Sequence, residues 1–292
     1  MTSETSADSG HETRDIAFIG GGNMARSLVG GLLARGWGAS RIHVADPHAP
    51  TRESLASDFN IGVHAVNLEA ASRASVWVLA VKPQMMHAVA RSMAELAQRT
   101  RPLLVSIAAG ITSEQLERWF GGNLAVVRTM PNTPSLLGAG ATGLYANGRV
   151  SAAQRGLVEE LLAAAGITRW VEDEALMDTV TALSGSGPAY IFLLAEAMQA
   201  AAEGQGLAPE AARQLTLQTI HGAARMLLES GEDAATLRRR VTSPDGTTQA
   251  ALESFEAMGF RDVVARAIAA ATRRGGELSA ANDAQAHGKG GA

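Results

Sequence analysis

Asp15 to Leu32 reads DIAFIGGGNMARSLVGGL, and the fold of the first half turns on this stretch. A short apolar run ends in three glycines. An apolar periodic segment from Asn23 to Arg35 follows and is closed by Gly36. Gly20, Gly22 and Ala25 fit the spacing G-x-G-x-x-G/A between a strand and a helix. In that setting the first glycine makes a tight turn and the second lets a pyrophosphate approach the backbone. The small third residue permits close helix–strand packing, and unpaired N–H groups at the helix start bind phosphate. A purely structural turn would use the same glycines, so the flanking sequence has to decide.

The flanks alternate. Arg41 to Asp46 (RIHVAD) predicts a second strand. Ser75 to Val81 and Leu103 to Ala109 are continuous apolar runs of the kind buried on both faces of a sheet, and a helical pattern lies between them. LAVVRTM, ATGLYA and ITRWV supply further strands. Thr112 with Gln115, and Ser151 with Gln154, have capping-box spacing. Strand and helix in alternation predict a parallel sheet with helices on both faces. After about Glu172 every periodic segment is helical. The expected organisation is therefore an α/β Rossmann-like dinucleotide-binding domain over 14–172 and an all-α domain over 173–279, between disordered tails at 1–13 and 280–292.

Composition limits what such a chain does. Its 292 residues carry a net charge of -4, which argues against a nucleic-acid surface. There is no Cys, so disulfides, thiolate catalysis and Cys-based metal sites are excluded, and no metal centre is expected. No apolar run approaches the roughly 18 residues of a membrane helix. The first residues lack a basic start and an apolar segment, so no secretory signal is expected and the cytoplasm is the default location.

In open parallel sheets the ligand lies beyond the carboxyl ends of the strands. Asp46 ends the second strand, where an acid can bind the ribose hydroxyls of NAD and disfavours a 2′-phosphate. Arg41, His48 and Arg52 are near enough in sequence to help a phosphate instead, and Asp46 also suits a turn before Pro47. Lys82 and Pro83 follow Val81. Ala108 and Ala109 end a strand, and Asn132 lies in RTMPNTP, where it can hydrogen-bond an amide. Lys82 and Lys289 are the only lysines, so the helical half offers no catalytic lysine. His221 lies on a helical pattern without a ligand partner and reads as a core or surface residue. Ser184 to Pro188 (SGSGP) interrupts a helical pattern and predicts a loop. Arg238 to Phe255, RRRVTSPDGTTQAALESF, predicts a hydroxyl-rich turn opening a helix.

Taken together these motifs resemble pyrroline-5-carboxylate reductase. The resemblance covers roughly Asp15 to Arg274. It rests on FIGGGNMA, LAVKPQ, RTMPNTP, ALSGSGPAY and above all VTSPDGTTQAALE, in that order. Asp245 departs from the pattern, since the family usually has a small residue or Asn there. The resemblance implies reduction of 1-pyrroline-5-carboxylate to L-proline, the last step of proline biosynthesis, with NADPH as cofactor and NADH possible. It implies that Val241, Ser243, Gly246, Thr247 and Thr248 bind the substrate, whose carboxylate suits a helix N-terminus. Helix capping is the other reading of those residues. Thr181 and Ser184 are the candidate hydroxyls near the ring nitrogen. Gly20, Gly22, Asn23, Met24, Asp46, Asn67, Ala80, Val81, Lys82, Pro83, Ala108, Ala109 and Asn132 are the expected cofactor contacts. A homodimer through the helical domain, with larger rings of dimers, is also implied. Two other classes share the architecture: a β-hydroxyacid dehydrogenase, which needs a lysine on the second domain, and a non-catalytic dinucleotide sensor, which does not need TSPDGTT beside SGSGP.

Overall fold

The computed structural model describes residues 14–288, with side chains through residue 284. The expected tail at 1–13 and the last four residues lie outside the described residues. Eight strands form one sheet: β1 Ile16–Ile19, β2 Ile42–Ala45, β3 Gly62–His64, β4 Val76–Leu79, β5 Leu103–Ser106, β6 Val126–Met130, β7 Gly140–Ala146 and β8 Gly166–Trp170. Their spatial order is β3-β2-β1-β4-β5-β6-β7-β8. β1 pairs in parallel with β2 on one side and β4 on the other, with Ile16 opposite both Ile42 and Val76. The strand order therefore reverses at β1, and the connections leaving β1 and β4 diverge and open a crevice at their carboxyl ends. β3 is a three-residue edge strand that apolar periodicity does not reveal.

The helices are α1 Asn23–Ala34, α2 Ala49–Phe59, α3 Asn67–Ala71, α4 Pro83–Thr100, α5 Ser113–Trp119 and α6 Ala152–Ala163, followed by α7 Leu176–Val180 and α8 Gly187–Gly204. α9 Pro209–Glu229, α10 Ala234–Arg240, α11 Thr247–Ala257 and α12 Phe260–Gly288 complete the chain. Both expected capping boxes are present, at Thr112 on α5 and Ser151 on α6. Alternation along β1 sends Ile16 and Phe18 into one core with Leu28, Val29 and Leu32 of α1. It sends Ala17 and Ile19 into the opposite core with Met86, Ala90 and Met93 of α4. A fully buried large apolar side chain contributes about 1.5–3 kcal/mol, so the position of the glycine turn after β1 is held from both faces.

The sheet is not parallel throughout. β6 and β7 are antiparallel, and β8 runs parallel to β7. The link from Met130 to Gly140 holds only a 3-10 turn, Thr133–Leu137. A parallel crossover needs a dozen or more residues, so this chain can only turn back.

Contacts divide the chain into two compact units. One runs to Gly185 and resumes at Ala271; the other is Ser186–Ala270. The strands stop at Trp170, close to the expected boundary at 172, yet α7 and the last part of α12 belong with the sheet. α12 also corrects the expected C-terminal tail, because it stays helical through Gly288. Asn282 donates to the Gly110 carbonyl (3.0 Å), Gln115 donates to the Ser279 carbonyl (3.0 Å), and Arg118 pairs with Asp283. A small, polar, Ala-rich sequence is held in place by partners distant in the chain, which its composition does not announce.

In the helical unit, Ala212, Thr216 and Leu237 are the buried residues among those described. Phe192 and Leu193 are each 66% exposed, Leu215 is 60% and Leu228 is 82% exposed. Apolar side chains exposed together on one unit mark a surface made for another protein.

Candidate active site

The turn after β1 is shaped by contacts that only glycine tolerates. Gly20 has φ +105°, and a Cβ there would lie 2.7 Å from the Ala80 carbonyl oxygen. The backbone of the turn thus lies against the end of β4, with the Ala80 N–H donating to the Ile19 carbonyl at 2.8 Å. Gly22 is different: a Cβ there would meet nothing within 4 Å. Gly22 is the N-cap of α1, no side chain caps that helix, and its first turn has no acidic residue. Unpaired N–H groups and the positive end of the helix dipole face open space there, which fits a pyrophosphate. Asn23 is exposed and Met24 half-buried at the same helix start, and Ala25 is buried against the sheet.

Asp46 is fixed beside this turn. Its Oδ2 accepts from the Gly21 N–H and its Oδ1 from the His48 N–H, both at 2.9 Å. The Asp46 N–H donates to the His64 carbonyl (3.1 Å), and Arg52 donates to the Asp46 carbonyl at 2.7 Å. Both carboxylate oxygens are tied to the backbone, which fixes the side chain beside the glycine turn. His43 and His64, paired on β2 and β3, have pKa values lowered chiefly by burial, so both are neutral at pH 7. They add no positive charge to offset Asp46.

Ala80 and Val81 are half-buried after β4, and Lys82 is the exposed N-cap of α4 with Pro83 at its first position. Ala108 is buried after β5, and its N–H donates to the Ser106 hydroxyl at 3.3 Å. Ala109, half-buried, leads into Gly110, which has φ +67°. Asn67 opens α3, which packs against β1 and β2. These residues line the carboxyl ends of adjacent strands. Asn132 does not meet its expected role as a partner for a nicotinamide amide. It is 9% exposed, its Nδ2 donates to the Ser184 carbonyl and its Oδ1 accepts from the Ala141 N–H, both at 2.9 Å. Each end of its amide already has a partner in the protein.

The expected loop at SGSGP is instead a π turn, Thr181–Gly185, joined through Ser186 to α8. Pro188 sits in the first turn of α8, where a missing N–H costs nothing. The Thr181 hydroxyl donates to the Met177 carbonyl (2.8 Å) and the Ser184 hydroxyl to the Val180 carbonyl (3.0 Å). Hydroxyls so committed offer lone pairs to a ligand. α7, which leads into this turn, is anchored by charge. Arg128 of β6, 4% exposed, donates to Asp178 at 2.9 Å and pairs with Glu174. Glu174 also accepts from the Ser113 N–H at 2.6 Å. Arg128 opens the motif RTMPNTP, but the motif does not reveal its role, because its partners lie 46 and 50 residues away.

Within the helical unit, Val241 is the C-cap of α10, and Gly246 is the N-cap of α11 with no side-chain cap. The Gly246 N–H donates to the Ser243 carbonyl (3.1 Å), and the Asp245 N–H donates to Gln249 Oε1 at 2.9 Å. Thr247 and Thr248 form the first turn of α11. Their hydroxyls do not cap α11, while the Thr242 hydroxyl donates to the Arg238 carbonyl at the end of α10 (2.7 Å), so capping accounts for part of TSPDGTT and not for Thr247 and Thr248. Asp245 has φ +57°, a left-handed conformation that Gly adopts freely and Asn and Asp adopt more readily than other side chains. Thr181, Ser184 and the dinucleotide turn belong to the sheet unit; Val241 to Thr248 belong to the helical unit. Among the described residues no group of three or more His, Asp or Glu side chains could hold a metal ion, and no helix is long and apolar enough to cross a membrane.

A sheet of this order, with an acid locked at the end of β2 and an open helix start after Gly22, places the chain among the dinucleotide-dependent oxidoreductases. Residues 15–110 match the family described as "NADP oxidoreductase coenzyme F420-dependent", and residues 174–278 match "Pyrroline-5-carboxylate reductase dimerisation". The pyrroline-5-carboxylate reductase of Pseudomonas aeruginosa is 54% identical over 267 residues, covering 91% of this chain and 97% of that protein. A pyrroline-5-carboxylate reductase structure from Coxiella burnetii is 43% identical, with TM-score 0.88 over 91% of this chain and 99% of the other. A Plasmodium falciparum pyrroline carboxylate reductase, solved with NADP bound, is 29% identical, with TM-score 0.81 over 92% and 100%. The chain belongs to the pyrroline-5-carboxylate reductase family.

The glycine turn yields a direct test. Gly22→Ala should leave the melting temperature near that of the parent, because the new methyl meets no protein atom. It should weaken coenzyme binding by tenfold or more, measured by nicotinamide fluorescence titration, because the methyl stands where a phosphate approaches.

Proposed function

We propose that this chain reduces 1-pyrroline-5-carboxylate to L-proline, the last step of proline biosynthesis, using NADPH and with NADH as a second donor. Beyond family membership, the observation that carries the reading is the uncapped start of α11 at Gly246–Thr248. A small carboxylate is the ligand such a helix start suits.

The substrate is a ring with a cyclic imine and a carboxylate. The bound nicotinamide supplies hydride from its C4 to the imine carbon. The glycine turn and the α1 start hold the pyrophosphate, and Asp46 sets the ribose. Ala80 to Pro83 with Ala108 and Ala109 form the small-residue wall beside the ring. The N–H groups of α11, with Ser243, Thr247 and Thr248, hold the carboxylate, and Val241 lies alongside. Thr181 and Ser184 hydroxyl hydrogens already point to main-chain carbonyls. Their oxygens therefore accept from the N–H of a protonated imine. The ring nitrogen arrives with its proton, so no side chain has to act as an acid, and the catalytic requirement is positioning of the two rings.

The exposed apolar side chains of α8 and α9 support a homodimer through the helical unit, and rings of dimers are the larger assembly we propose. The negative net charge supports a small-molecule enzyme with no nucleic-acid partner. We place it in the cytoplasm.

Loss of nicotinamide absorbance with pyrroline-5-carboxylate is the primary test; no turnover with either coenzyme rejects the reading. Thr248→Ala should lower kcat/KM for the imine about tenfold to a hundredfold, since a hydrogen bond to a charged group contributes roughly 1.5–3 kcal/mol. Coenzyme affinity and melting temperature should stay unchanged, because Thr248 caps nothing. Asp46→Asn keeps an acceptor for the backbone and removes the charge. It should raise the NADPH:NADH ratio of kcat/KM roughly tenfold; an unmoved ratio places Asp46 away from the ribose.

A further inference from the structure

Ser184 lies in the π turn Thr181–Gly185, and Ser186 separates that turn from α8. The last carbonyls of a helical segment have no partner within it. The Ser184 carbonyl is one of these, at the end of a π turn that carries both candidate hydroxyls. Its partner comes from elsewhere. Asn132 Nδ2, on the turn after β6, donates to it at 2.9 Å. Asn132 is the N-cap of the Thr133–Leu137 turn, and Asn is a favoured capping residue. Its side chain nevertheless makes no cap bond there. The Oδ1 instead accepts from the Ala141 N–H, which fixes the amide from the strand side and aims Nδ2 at Ser184. Packing agrees with this direction. A Cβ on Gly185 would lie 2.6 Å from the Met130 side chain, and one on Gly143 would lie 2.3 Å from Val180. The π turn is pressed onto Met130 at the end of β6, and the end of α7 that leads into it is pressed onto the middle of β7.

We propose that Asn132 is a positioning residue for hydride transfer. It holds the Ser184 carbonyl, and so keeps the π turn with its Thr181 and Ser184 oxygens in register with the strand ends where the coenzyme binds. This rests on the assignment of Thr181 and Ser184 above. π turns recur at functional sites because they re-aim side chains, at the cost of regular hydrogen bonding, and here the missing bond is supplied by a buried amide. Loss of the donor releases the carbonyl and lets the turn relax toward a regular helix, rotating both hydroxyls. A displacement of about 1 Å at such a position costs on the order of a hundredfold in rate.

The test uses the full-length enzyme. Asn132→Asp keeps an acceptor for Ala141 and replaces the donor to Ser184 with an oxygen. Asn132→Ala removes both bonds. Each should lower kcat about tenfold to a hundredfold, with the coenzyme dissociation constant within about twofold of the parent. A parallel loss of coenzyme affinity would show instead that Asn132 touches the nicotinamide, and an unchanged kcat would show that the turn needs no clamp; either outcome overturns the proposal. Ser184→Ala and Thr181→Val separate this inference from the assignment it rests on. If both leave kcat/KM unchanged, the hydroxyl assignment itself fails. If they lower it and the Asn132 variants do not, the clamp alone fails.

Discussion

The contact between the Gly20 backbone and the end of β4 is the constraint on which the rest of the molecule depends. β1 pairs with two strands whose connections leave in opposite directions, and the turn after β1 must lie directly against the Ala80 carbonyl. Any side chain at Gly20 would push the two strand ends apart. That would tilt α1 off its core of Leu28, Val29 and Leu32 and move its open N–H groups away from Asp46. The same turn that lets β1 and β4 approach leaves α1 without a side-chain cap.

A second set of constraints acts at the end of β6. Arg128, Asn132 and Glu174 are polar groups at least half-hidden from water, and their bonds all converge on the segment from Glu174 to Ser184. Burying a charge without partners is costly, whereas a fully bonded network becomes directional and stiff. Short α7 and an irregular π turn have little stability of their own, because helices of a few residues are marginal in water. Polar anchoring is what lets such a segment carry hydroxyls in one orientation.

Asp46 and the coenzyme pull in different directions. The family match is to NADP oxidoreductases, while the carboxylate at the end of β2 is held by two backbone N–H groups. On the proposed reading a carboxylate so held opposes a 2′-phosphate, and use of NADPH would rely on binding energy from the remaining nucleotide contacts.

The sequence by itself determined the glycine turn, the order of strands and helices apart from the short edge strand β3, both capping boxes and the family, because each of these depends on residues a few positions apart. Periodicity and cap spacing are local, and VTSPDGTTQAALE is contiguous. The antiparallel return at β7 was readable in principle from the shortness of the link after Met130, but strand patterns alone carry no direction. Only the tertiary structure decided the role of Asn132, the anchoring by Arg128, the π turn in place of a loop and the docking of Asn282 and Asp283 where a tail was expected. For Asn132, Arg128, Asn282 and Asp283 the deciding hydrogen bond joins residues dozens of positions apart. A buried donor shows nothing in its own neighbourhood of the carbonyl it will be needed for.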